Sequence, residues 1–103
     1  MYGSIFKLYP KPGCQDAVEQ LFRQDNEWEN STGVAACLFG SDNYPGELTG
    51  IAIFTSEEAY RQNANHPAQQ NWYNQLRDLL QSDPEWNDGP VLVMHELTQV
   101  GGL

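Results

Sequence analysis

Basic residues are scarce in this chain. Lys and Arg number 5 among 103 residues, Asp and Glu number 14, and the formal net charge at pH 7 is −9. Binding to nucleic acid depends on Lys and Arg displacing the counterions of the phosphate backbone. Here Lys7, Lys11, Arg23, Arg61 and Arg77 are scattered rather than clustered, so the expected partners exclude nucleic acid and, by the same argument, an anionic membrane surface. Cysteine is almost as scarce. Cys14 and Cys37 form no CxxC pair and no metal-spaced cluster, which argues for free thiols and against a metal site. Long apolar runs are missing too. The longest, Val34 to Phe39, is far too short to span a bilayer. The opening Met1-Tyr2-Gly3-Ser4-Ile5-Phe6-Lys7 lacks the charged and apolar blocks of a signal peptide, and the expectation that follows is a cytoplasmic protein.

Aromatic residues, by contrast, are plentiful: three Trp, five Tyr and four Phe within a hydrophobic fraction of 40%. That composition excludes a disordered chain, and the length predicts a single domain over residues 1–103 with one core. Tyr2 to Tyr9 alternates, with Tyr2, Ser4, Phe6 and Leu8 on one face, and reads as a strand. Pro10-Lys11-Pro12-Gly13 stops it. From Cys14, Ala17, Val18, Leu21 and Phe22 recur at helical spacing, and the helix is expected to end near Asp25 or Asn26. Val34 to Gly40 and Leu48 to Thr55 read as two strands joined by a loop, and should pair antiparallel. Ser56-Glu57-Glu58 starts a second helix. Pro67 interrupts it, with Asn65 or His66 as a new cap. Ala68, Trp72, Leu76, Leu79 and Leu80 give the second segment its apolar face. Trp86 to Pro90 reads as irregular and Val91 to Leu97 as the last strand, with Val91, Val93, His95 and Leu97 on one face.

The order strand, helix, strand, strand, helix, strand predicts an α+β, ferredoxin-like βαββαβ fold: a four-stranded antiparallel sheet with two helices on one face. The other sheet face is then uncovered, although both faces carry apolar residues, Ile5 and Tyr9 opposing Phe6 and Leu8. An apolar patch of that size calls for a partner, and a second copy is the commonest one. The chain is therefore expected to form a homodimer through the open sheet face.

Several turns, caps and core positions carry a family resemblance. They are Lys11-Pro12-Gly13, Gly33-Val34, Phe54-Thr55-Ser56-Glu57-Glu58-Ala59-Tyr60, and Asn65-His66-Pro67 followed by Trp72, Leu76 and Leu79-Leu80. In these the chain resembles the dimeric α+β barrel superfamily and, within it, the antibiotic-biosynthesis-monooxygenase-like domains. The resemblance implies a dimeric α+β barrel with a cavity between helices and sheet. It also implies an activity drawn from a group that includes cofactor-independent oxygenases of phenolic substrates, haem-degrading enzymes and isomerases. The haem-degrading members carry an asparagine on the first strand, then a tryptophan and a histidine on the second helix. Phe6, Asn63 and Tyr73 stand at those positions here, which argues against haem degradation.

Two readings of function follow. In the first, the protein is monooxygenase-like and oxidises a small aromatic or quinone-like compound with no cofactor and no metal. His66 and His95 are then the candidate catalytic proton acceptors, and Asn63, Tyr73, Trp72 and Tyr60, with Trp28, line an aromatic substrate pocket. Each of these residues also has a structural reading: His66 as a helix cap before Pro67, His95 as a core residue, Trp72 as core on the stripe with Ala68 and Leu76. In the second reading, the chain is a non-catalytic dimeric ligand-binding or stress-associated domain, since no acid–base constellation is clustered in the sequence.

Overall fold

A computed structural model of the chain describes residues 1–24 and 33–95. Strand β1 (Tyr2–Leu8) leads into helix α1 (Gln15–Arg23), strands β2 (Gly33–Phe39) and β3 (Leu48–Phe54) follow, then helices α2 (Glu57–Ala64) and α3 (Pro67–Asp78), and strand β4 (Glu85–Pro90). The strands form one antiparallel sheet in the order β2-β3-β1-β4, the arrangement expected of a βαββαβ chain. The second helix is broken in two at Pro67. Ser56 caps α2, its Oγ accepting from the Ala59 amide at 3.0 Å, and His66 caps α3. Proline at the first position of α3 costs nothing there, because that amide has no partner within the helix.

Alternation assigns the two faces of the sheet. Ser4, Phe6 and Leu8 of β1 are buried beneath the helices, while Ile5 and Lys7 are exposed on the opposite side. The register carries this across the sheet: Leu8 lies opposite Leu48, Phe6 opposite Gly50, and Ser4 opposite Ala52. Phe6, Leu8, Val18, Leu21, Leu48, Leu76 and Leu80 make the core, and Phe22, Trp72 and Leu79 pack against it. Leu8, Val18, Leu76 and Leu80 are completely buried. Helix α1 ends at Arg23; Asp25 and Asn26, the expected ends, lie outside the described residues, as does Trp28.

One element departs from expectation. The last strand is Glu85–Pro90, not Val91 to Leu97, and it pairs with β1 from Lys7–Glu85 to Tyr2–Pro90. Its sequence, EWNDGP, has poor strand propensity. It succeeds as an edge strand, where proline and glycine are tolerated. Trp86 and Asp88 stand opposite Phe6 and Ser4 and so share their helix-side face. Val91 to His95 continues without strand pairing, with Leu92 87% exposed and His95 also exposed; Glu96 and Leu97 lie outside the described residues.

Candidate functional site

Between the helices and the sheet lies a cavity of about 460 Å³. Phe6, Phe54 and Trp86 contribute to it from the strands, Phe22 from α1, Tyr60 from α2, and Trp72 and Tyr73 from α3. These rings touch in sequence around the space. Tyr73 and Trp86 lie 6.3 Å apart between centroids, Trp86 and Phe6 5.0 Å, Phe6 and Phe22 6.2 Å, and Phe22 and Trp72 4.9 Å in an edge-to-face contact. Tyr60 meets Phe54 at 5.6 Å on the remaining side. Such offset and edge contacts are the favoured geometry for aromatic pairs and add about 0.5–1.5 kcal/mol each beyond burial.

Room for the cavity comes from a missing side chain. A Cβ at Gly50 would fall 2.1 Å from the Phe6 ring. The absent side chain at Gly50 thus leaves the place that one edge of the Phe6 ring takes up. Trp72 is fixed from behind, its indole N–H donating to the Leu21 carbonyl at 3.1 Å and tying α3 to α1.

Polar groups enter this aromatic wall at few places. Asn63, Gln69 and Gln70 line it from the helices. On the sheet side the Ser4 hydroxyl, buried on β1, donates to the Asp88 carboxylate on β4 at 2.6 Å. Tyr60 approaches the same pair. Burial, and next the Asp88 carboxylate, push its phenol above the ordinary tyrosine value, so at neutral pH it is a hydroxyl donor rather than a phenolate. The linkage follows from the sign. With the folded-state value raised, Tyr60 contributes stability below the ordinary tyrosine value, near 10, and that contribution is lost as pH rises through the higher folded value. Alkaline titration of phenolate absorbance should thus show a late-titrating phenol that disappears in Tyr60→Phe. Tyr9 is raised as well, chiefly by burial, so the difference between the two proteins is the diagnostic quantity.

The structure brings Tyr60, Asn63, Trp72 and Tyr73 together on this cavity and does not bring either histidine to it. His66 sits at the start of α3, its Nδ1 accepting from the Ala68 amide at 3.0 Å. His95 lies beyond β4, exposed. The expectation that it shares a strand face with Val91 and Val93 fails because the sheet ends at Pro90. Phe6, Asn63 and Tyr73, the residues standing at the haem-degrading positions, all line the cavity. No group of three or more His, Cys, Asp or Glu side chains among the described residues is arranged to hold a metal ion.

The cap role of His66 has a measurable consequence. His66→Ala should cost about 1 kcal/mol, lowering Tm by roughly 4–8 °C in a domain of this size. His66→Asn, which restores a capping acceptor without an imidazole, should recover most of it. A urea midpoint for each variant distinguishes the cap from any other use of the ring.

Sequence reading missed Ser4, Phe22, Trp86 and Asp88 as site residues. Ser4 carried a signal: it is the one polar residue on a face otherwise made of Tyr2, Phe6 and Leu8. Trp86 and Asp88 carried none, since only the register against β1 puts them there.

No family model matches the sequence, and no curated protein matches it. Solved structures do match in fold. A mutant of SnoaB, a cofactor-independent oxygenase from Streptomyces nogalater, superposes with a TM-score of 0.77 at 16% identity, over 90% of this chain and 94% of that one. A structure named as an antibiotic biosynthesis monooxygenase gives 0.73 at 18% identity, over 90% and 100%. A protein of unknown function from Nitrosomonas europaea gives 0.76 at 16%, over 94% of each. The α+β fold expected from the sequence is thus the fold of these proteins.

Proposed function

We propose that the protein is a monooxygenase-like homodimer that holds a small planar aromatic or quinone-like compound in the aromatic cavity and oxidises it without a cofactor. The observation carrying this reading is the cavity itself. About 460 Å³ walled by seven aromatic rings with few polar groups fits the size and chemistry of a small-molecule site. In the reaction envisaged, a substrate carbon acidified by its own conjugated ring loses a proton, and the carbanion adds dioxygen. One oxygen stays as a carbonyl and the other leaves as water with the two hydrogens of that carbon. The chain supplies the desolvating walls, with Trp72 and Tyr73 stacking on the substrate and Tyr60 and Asn63 hydrogen-bonding its oxygens. Asp88 is the carboxylate placed to accept a proton.

Oxygen uptake with a panel of phenols and anthrone-type compounds tests this. Uptake with one product oxygen per substrate, reduced severalfold in Tyr60→Phe or Asn63→Ala, is the expected result. Absence of uptake across the panel would leave the second reading, a non-catalytic dimeric ligand-binding or stress-associated domain. That reading is favoured by one observation, the position of both histidines away from the cavity.

The dimer in this proposal forms through the uncovered sheet face. Ile5 is 49% exposed and Phe39 52% exposed there, with Ile51 opposite Ile5 on the neighbouring strand. Light scattering at micromolar concentration should give twice the chain mass, falling to the monomer in Ile5→Asp. A monomeric wild-type protein would refute it. No helix among the described residues is long and apolar enough to cross a membrane. Cys14 and Cys37 are free thiols, which suits the reducing cytoplasm this reading assigns to the protein.

A further inference from the structure

The aromatic cavity has a sign of charge. Among the described residues that line it, Asp88 alone carries a formal charge, and none is basic. The nearby cations are bonded to other carboxylates, although Arg61 also feels the Asp88 charge across space. Arg61 on α2 is held by Glu57 at 2.8 Å, and Arg77 on α3 by Asp83 at 2.6 Å. Asp88 in turn is oriented by the buried Ser4 hydroxyl at 2.6 Å and faces the Tyr60 phenol. A carboxylate offers about four lone-pair sites, so two protein donors leave acceptor capacity on Asp88, which is exposed at the rim of the cavity. The surrounding ring faces carry negative quadrupoles, which attract cations and disfavour anions.

We propose that the Ser4–Asp88 pair is a charge-selecting site, which admits planar aromatic ligands bearing a neutral hydroxyl or a protonated amine and rejects those bearing a carboxylate or phosphate. This rests on the reading of the cavity as a ligand site and deepens it by naming the ligand class. It does not depend on oxygen chemistry. Ser4 positions the carboxylate; Asp88 touches the ligand.

The test uses three probes of one shape, 2-naphthol, 2-naphthylmethylammonium and 2-naphthoate. Each is titrated at neutral pH into the full chain and into Asp88→Asn, with binding read by calorimetry. Because the whole chain carries −9, the titrations are run at low salt and again near 0.5 M, where general attraction and repulsion are screened beyond about 4–5 Å. The expected result is that the ammonium and the naphthol bind at least tenfold more tightly than the naphthoate at both salt concentrations. In Asp88→Asn the ammonium should lose about tenfold and the naphthoate gain. Asp88→Asn keeps the shape and the acceptor for Ser4, and an unchanged urea midpoint certifies its fold. Equal or tighter binding of the naphthoate overturns the proposal, as does an order that vanishes at high salt or survives Asp88→Asn unchanged. Failure of all three probes to bind overturns it together with the ligand-site reading. The expected order without any oxygen uptake leaves charge selection standing and removes only the oxygenase.

Discussion

Trp72→Ala should destabilise the protein by about 3 kcal/mol, the low end of the cost of emptying a large aromatic position, because Trp72 is only partly buried. Domains of this size have a total stability of only about 5–15 kcal/mol, so the urea midpoint should fall by about a fifth or more. The loss has three sources, and they separate experimentally. Trp72 packs edge-to-face on Phe22, closes one wall of the cavity, and donates from Nε1 to the Leu21 carbonyl. Trp72→Phe retains a ring against Phe22 but removes the indole donor to that carbonyl, and should cost about 1 kcal/mol. Trp72→Leu lacks both the ring contact and the donor, and should fall between the two. If Trp72→Ala were as stable as the wild type, the packing of α3 on α1 through this residue would be wrong.

Gly50→Ala should weaken ligand binding at least tenfold through a single methyl group. The new Cβ would fall 2.1 Å from the Phe6 ring, and a β3 backbone locked between β1 and β2 cannot retreat. The ring must swing instead, toward the cavity it lines. Overpacking of this kind costs about 1–3 kcal/mol, and the displaced ring takes up space a planar ligand needs. A loss of at least tenfold in affinity for a naphthol-sized probe is the expected outcome. The double variant Phe6→Leu/Gly50→Ala should recover stability beyond the sum of the two single changes, because both act on one contact. Additive behaviour would mean that the ring does not rest on Gly50.

Much of the fold was legible because period and punctuation agreed. Tyr2 to Leu8 alternates cleanly, Ser56 is followed by acids, and Pro67 marks the start of α3 so plainly that both helix boundaries followed. The fourth strand defeated the same reasoning. Val91 to Met94 has a strand's apolar composition yet lies outside the sheet, while Glu85–Pro90 is polar and contains glycine and proline yet lies within it. Local preference lost to tertiary register, since β1 offers its free edge to the segment that the turn after α3 delivers.

The site was legible in proportion to how much of it lay on helices. Tyr60 and Asn63 are three residues apart on α2, Trp72 and Tyr73 are adjacent on α3, and all four reach the cavity. Its sheet side, Ser4 with Asp88, joins residues 84 positions apart, and no periodicity spans that distance. His66 carried both a catalytic and a capping reading in the sequence, and its Nδ1 lone pair is seen capping α3.

Strand β1 lies between β3 and β4, so the first segment of the sheet has neighbours that both come later in the chain. One is completed only after all three helices. During synthesis one edge of Tyr2–Leu8 waits for β3, and the other stays unpaired until Glu85–Pro90 is made. Its buried face, Phe6 and Leu8, stays open to other contacts over that interval. Such distant pairing slows folding relative to chains whose neighbours are local, and it leaves an early, sticky strand on a nascent chain. A net charge of −9 then has a consequence before the native state exists: like charge repels, which opposes contact between copies while the sheet's middle is still half built.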